Sequence, residues 1–255
     1  GLANFSALLL TLEKRGDEQR QRMLRQWEDD YSNRRSADSE RPMVRISGTR
    51  PGDQTVTYDK AGWVFWMMME MMGRDAMLAG LQEFIRTYQD GPDFPLLQDL
   101  LVVMRRHATD PAAFDAFARQ WFEQVVLPEF KLWDAKVTQS DAETWIVDCT
   151  LENAGTGTVQ VQVGAIGAEP ARDLTAPKDA KPPAAPQSQT LVSIAAGERK
   201  PVQISCPFKP VKAQVDPQAR MLQVRRKLAE VRLPEPVAAP ADAPPSPASA
   251  PRSIN

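Results

Sequence analysis

Val56-Thr57-Tyr58-Asp59-Lys60-Ala61-Gly62-Trp63-Val64-Phe65-Trp66-Met67-Met68-Met69-Glu70-Met71-Met72 is the stretch whose reading decides the fold. A short polar segment carrying one tyrosine runs straight into a helix that is apolar on every side. Such a helix is stable only as a central packing element. Residues 59–72 therefore read as a buried helix, and Gly73 terminates it. Six of the ten methionines lie between Met67 and Met77. A methionine-rich surface can serve as an adaptable binding groove. Trp63, Phe65 and Trp66, spread around the helix, favour core packing instead. Whatever sits at the start of this helix is held rigidly, and Tyr58 sits there.

Upstream, residues 2–33 read as two helices. Leu2, Phe5, Leu8, Leu9 and Leu12 recur at helical spacing. Gly16-Asp17 is a break, with Asp17 placed to cap the second helix. Met23, Leu24, Trp27 and Tyr31 give that helix an apolar stripe. Its other face, rich in Arg, Gln, Glu and Asp, reads as solvated. Residues 34–57 are polar and irregular, and a connection of that length is often functional.

Downstream, residues 75–89 form another amphipathic helix, ended by Gly91-Pro92. Pro95 suits a first helical turn, and Leu96 to Arg106 follows. Asp110-Pro111 is a cap followed by proline, opening a helix from Ala112 to Val125. At Trp133 the apolar period falls from about 3.6 to 2. Strands are predicted at Trp145–Glu152, Thr158–Val163, Leu191–Ile194, Lys200–Cys206, Val211–Val215 and Met221–Leu233. Asn153-Ala154-Gly155 is a turn. Short strands at even spacing argue for a small antiparallel sandwich. Residues 168–189 read as a long hairpin loop. Residues 234–255, rich in Pro, Ala and Ser, form a disordered tail with nothing to bury.

Composition narrows the function. Charged residues make up 25% of the 255 and the net charge is −2, which does not suit a nucleic-acid binder. No run of about 18 apolar residues is present to span a membrane. The start, Gly1-Leu2-Ala3-Asn4-Phe5, has no basic region of the signal-peptide kind. It reads as a helix already under way, as in a truncated chain. Cys149 and Cys206 both point inward by strand parity, as two buried thiols or as a disulfide. His107 is the one histidine. A site needing two or three histidines therefore cannot be built within one copy. Near a helix C-terminus, His107 is better explained by the helix dipole than by metal binding. Lys60 either orients a neighbouring group or is a surface lysine.

Tyr58-Asp59-Lys60-Ala61-Gly62, leading into an apolar helix, resembles the aminopeptidase N family of zinc metallopeptidases (gluzincin type). There a Tyr-x-Lys-Gly segment leads into such a helix. Ala79-Gly80-Leu81-Gln82-Glu83-Phe84-Ile85 resembles a later helix of that family. Residues 95–128, with Phe114, Phe117, Trp121 and Leu127-Pro128, resemble its Phe/Trp-rich helices. Gly1-Leu2-Ala3-Asn4-Phe5 resembles the stretch that follows the family's third zinc ligand, a glutamate. One departure stands out: the family's glycine after the lysine is Ala61 here, with Gly62 next.

The resemblance implies an α+β multidomain chain. Residues 1–131 would be the all-α C-terminal half of a thermolysin-like catalytic domain. Residues 132–233 would be an immunoglobulin-like antiparallel β-sandwich, and 234–255 a tail. It implies that zinc belongs to the full-length parent, held by a His-Glu-x-x-His helix and a glutamate upstream of residue 1, so that this fragment binds none and is inactive alone. It implies that Tyr58 is catalytic, its hydroxyl donating to the oxyanion of the tetrahedral intermediate. The partners implied are a peptide substrate, the missing N-terminal half and, through exposed apolar surface on residues 2–12 and 63–72, a second copy. The competing reading is a non-catalytic interaction module of helices plus an immunoglobulin-like domain. The Pro/Ala-rich loop and tail would suit a cell-envelope protein with a membrane-embedded part upstream.

Overall fold

The computed structural model describes residues 1–36, 40–92, 94–141, 143–171 and 183–234. Helices fill the first half: α1 (Leu2–Arg15), α2 (Asp17–Arg34), a three-residue turn α3 (Asp53–Thr55), α4 (Ala61–Met72), α5 (Arg74–Tyr88), α6 (Leu97–His107) and α7 (Pro111–Trp121). Strands follow: β1 (Phe130–Gln139), β2 (Trp145–Asn153), β3 (Val159–Gly167), β4 (Gln187–Ile194), β5 (Arg199–Cys206), β6 (Pro210–Val215) and β7 (Glu230–Arg232). The fold is α+β, with a three-stranded sheet ordered β1-β2-β5 and a four-stranded sheet ordered β4-β3-β6-β7. Every strand pair is antiparallel.

The apolar helix is the centre of the helical half. Ala61 through Met69 are all buried. Trp63 donates its indole N–H to the Leu24 carbonyl at 2.8 Å, which ties α4 to α2. Gly73, at φ 86°, ends the helix as its sequence requires. The methionines are core rather than groove: Met67, Met68, Met69, Met72 and Met77 are buried, and only Met71 among that group reaches solvent. The expectation of exposed apolar surface on residues 63–72 is thereby corrected. Large exposed apolar side chains lie instead at Ile85, Phe94, Leu96 and Val102, with Leu10 on α1.

Local signals held where the cap chemistry is strong. Asp110 Oδ1 accepts from the amides of Ala112 and Ala113 at 3.0 Å and Pro111 opens α7, which stops at Trp121 rather than at Val125. At α2 the cap position is Gly16, and the Asp17 carboxylate takes the side chains of Arg20 and Gln21 instead of a backbone amide. Leu96, not Pro95, begins α6, with the Asp99 carboxylate accepting the Leu96 amide.

The polar face of α2 is solvated at Glu18, Arg22, Gln26 and Asp29, as expected, but not throughout. Arg20 and Glu28 are buried. Arg20 donates to the carbonyls of Gln218 and Ala219 at 2.7 and 2.9 Å, and Arg25 to Pro217 at 2.7 Å. Glu28 takes two hydrogen bonds from Arg226, at 2.7 and 2.8 Å. Arg226 lies in the segment 221–233, which read as one strand. That segment is irregular up to Arg225 and forms a 3-10 turn over Arg226–Ala229, so β7 covers only Glu230–Arg232.

In the β half, Val147, Cys149 and Leu151 are buried in one sheet and Val161, Val163 and Ala165 in the other, within a core cluster that also contains α4. Asn153 builds the predicted turn: its side-chain oxygen accepts from Glu129 and Gly155, and its amide donates to Gly157. A Cβ on Gly155 would lie 2.1 Å from the Leu127 carbonyl oxygen, so only glycine fits. Cys149 and Cys206 are free. Register explains it: Cys149 faces Val202 and Cys206 faces Trp145. Four residues along a strand separate the thiols by about 13 Å, beyond disulfide reach. Of the expected loop 168–189, residues 187–189 belong to β4 and 172–182 lie outside the described residues, as does 235–255 of the expected tail.

Candidate functional site

Tyr58 does not precede the helical stretch; it lies inside it. The chain turns helical at Asp53, widens into a π-helical turn over Val56–Lys60 and tightens into α4. In this wide turn Val56, Asp59 and Lys60 face inward, while Tyr58 is 48% exposed. Isolated π-turns are uncommon and concentrate at functional positions. The turn is pinned from α1, where the Asn4 side-chain amide donates to the Tyr58 carbonyl at 3.0 Å. Gly62 allows that approach, since a Cβ there would lie 2.9 Å from the Trp27 ring and 3.2 Å from Asn4 Cβ. Glycine is thus required at 62, and Ala61 is accommodated, buried, one place earlier. The phenol hydroxyl of Tyr58 has no hydrogen-bond partner among the described residues.

Beside this turn lies an open apolar hollow of about 360 Å³, lined by Val56, Thr57, Ala61, Phe65, Met43 and Leu97 among others. Its lining takes Val56, Thr57 and Ala61 from this part of the chain and does not include Tyr58.

Beneath the turn lies a charged cluster that sequence reasoning missed. Lys60 is wholly buried, which excludes the surface-lysine reading. Its ammonium lies 3.6 Å from Glu40 Oε2 and 5.6 Å from the Tyr31 ring centroid. Tyr31 donates its hydroxyl to Glu40 Oε1 at 2.6 Å. Burial pushes the Lys60 ammonium below its ordinary range, with Glu40 partly opposing. Burial likewise pushes the Tyr31 hydroxyl well above its ordinary value, reinforced by the Glu40 charge. Lys60 falls three and four residues before Trp63 and Val64, on the buried face, and that periodicity was the available signal for its burial. Nothing local marks Glu40.

His107 ends α6, as expected of a histidine at a helix C-terminus, and its Nε2 is 2.6 Å from Glu83 Oε2. Arg106 holds the other Glu83 oxygen. The described residues contain no group of three or more His, Cys, Asp or Glu side chains placed to hold a metal ion. The described residues therefore do not fit a catalytic zinc. No described helix is long and apolar enough to cross a membrane.

No family model matches the chain, and no curated protein matches it. Among solved structures it is similar to Legionella pneumophila aminopeptidase A in complex with aspartic acid, at a TM-score of 0.51 and 13% identity, over 88% of this chain. That match covers 23% of the aminopeptidase, so this chain spans under a quarter of that structure. At such identity the likeness shows the fold, a shared helix-plus-sheet arrangement. A β-glucosidase from Streptomyces venezuelae (TM-score 0.26, 21% identity, 41% of this chain and 15% of that one) and a Pseudomonas fluorescens alkylpurine DNA glycosylase (0.26, 14%, 91% and 67%) superpose too loosely to support any argument.

Proposed function

We propose that this chain is the C-terminal part of a zinc-dependent aminopeptidase of the aminopeptidase N kind, which removes N-terminal residues from peptides. Residues 1–131 then belong to the helical half of a thermolysin-like catalytic domain, 132–233 to an immunoglobulin-like sandwich and 234–255 to a tail. The likeness of fold to an aminopeptidase and the resemblance around Tyr58 support this reading. The observation that carries it is the half-exposed phenol of Tyr58, unpartnered among the described residues, in a π-turn that leads into a buried helix and whose Val56 and Thr57 line an open apolar hollow.

In this proposal the zinc ligands come from residues outside this sequence, and no step assigned here runs through the metal. The contribution of Tyr58 is to donate its O–H to the oxygen on which negative charge develops as the peptide carbonyl becomes tetrahedral. A donor held in place before the reaction costs no reorganisation when that charge appears. The bond from the Asn4 side-chain amide of α1 to the Tyr58 carbonyl and the rigid helix supply that placement. The hollow and the exposed Leu96 at its rim offer the face on which the N-terminal half packs. In the isolated chain the same face invites self-association.

In the full-length protein, Tyr58→Phe should lower kcat about a hundred- to a thousand-fold with little change in KM. Unaltered kcat on amino-acid p-nitroanilides would overturn the assignment.

A further inference from the structure

We propose that Lys60, with Glu40 and Tyr31, is a positioning group: it holds the π-turn wound so that Tyr58 points outward beside the hollow. This rests on the role proposed for Tyr58.

The cluster is a poor device for stability. Lys60 Nζ and Glu40 Oε2 are buried and neither has a hydrogen-bond partner among the described residues, although they lie 3.6 Å apart. A buried ion pair with incomplete hydrogen bonding recovers little of its desolvation cost, and apolar side chains of similar size commonly serve better. What the pair does fix is geometry. Lys60 closes the π-turn, and the amide of Ala61 next to it donates to the carbonyls of both Tyr58 and Val56. The two acceptors lie three and five residues back, so the bond is shared between 3-10 and π spacing. Drawing Lys60 down onto Glu40 favours the wide one. Releasing it lets the turn tighten and rotates Tyr58, two residues away, off its present direction. Glu40 is in turn aimed by the Tyr31 hydroxyl at 2.6 Å and lies 3.8 Å from Arg35. Asn4 holds the Tyr58 carbonyl. Tyr58 is thus fixed through its own backbone and through the charge of Lys60, two residues on.

The test is a double-mutant cycle in the full-length protein, read as kcat and KM separately. Lys60→Met should lower kcat about ten- to a hundred-fold, as expected for a displaced catalytic group, with KM nearly unchanged. In a Tyr58→Phe background the same substitution should cost nothing further, because the hydroxyl it aims is gone. Tyr31→Phe, which removes a single hydroxyl, should show the same pattern at about two- to ten-fold, and it carries the test if Lys60→Met does not fold. Equal losses in both backgrounds, or no loss in either, would make the cluster merely structural and overturn the inference while leaving Tyr58 in place. If Tyr58→Phe itself retains full kcat, the functional reading fails first and this inference with it.

Discussion

Two buried charge clusters hang from the same helix, about one turn apart on α2, and they are built in opposite ways. Around Glu28 the carboxylates and Arg226 answer one another, although Arg25 Nε and the Gln223 side chain nearby are buried without hydrogen-bond partners among the described residues. Arg226 makes two bonds to it at 2.7 and 2.8 Å, reaches the Asp216 carboxylate at 3.0 Å and donates to the carbonyls of Asp216 and Met221 at 2.9 Å. Burial alone would lower the guanidinium, but Glu28 and Asp216 reverse this and hold it above its ordinary value. Around Tyr31 the pairing is loose: a 3.6 Å approach between Lys60 and Glu40 with hydrogen-bonding capacity left over. The saturated cluster joins the helices to the β6–β7 region. The unsaturated one lies under the candidate catalytic turn. A sequence that saturates one cluster and leaves the other strained one turn away places its strain where a direction, rather than a join, has to be maintained.

Breaking the saturated cluster should have the larger effect on stability. Arg226→Met leaves Glu28 and Asp216 buried without their cation and should cost about 3–5 kcal/mol in chemical denaturation. A loss under about 1 kcal/mol would erase the contrast. Replacing the loose pair together, Lys60→Met with Glu40→Gln, should be neutral or stabilising by up to about 4 kcal/mol. A loss matching that of Arg226→Met would show the two clusters to be alike.

The smallest effect is a pH dependence. Burial lowers the Lys60 pKa in the folded chain relative to 10.5. Between that depressed value and 10.5 the unfolded chain binds a proton that the folded chain lacks, so stability contributed by Lys60 rises with pH through this window. Below it the full burial cost is present. The difference in unfolding free energy between wild type and the double variant should therefore shift in favour of wild type as pH climbs through the range just below 10.5. Cys149, pushed up to about 11 by burial and by Asp148, titrates in both proteins and cancels. Arg226 stays charged throughout and gives its cluster no such slope. A flat difference would mean that Lys60 is not desolvated as its surroundings require.

The parts legible in the sequence were those with local causes. Gly73 and Asp110 ended and began helices where they should, and the all-round apolarity of residues 61–69 announced burial. Alternation located β2 through β6, while β1 was marked only by the change of period at Trp133. What stayed hidden depends on partners distant in sequence. The bonds from Arg226 to Glu28 span 198 residues, and no periodicity in α2 distinguishes a glutamate facing water from one facing an arginine. The same holds for Glu40 beneath Lys60. The π-turn was invisible because its composition is that of an ordinary polar helix start. Tyr58 was found by its resemblance to a motif, while the groups that hold it were not, since they carry no motif.

The bond between Glu28 and Arg226 also has a consequence in time. During synthesis α2 emerges well before Arg226, since 198 residues separate Glu28 from it. Until then the first helices carry a carboxylate meant for the interior with no cation to meet it, and Arg20 and Arg25 extend toward carbonyls not yet made. The helical segment therefore waits for the final strands before it can close. Translation arrested before residue 216 should leave an α2 that proteases cut readily, however complete its own residues are.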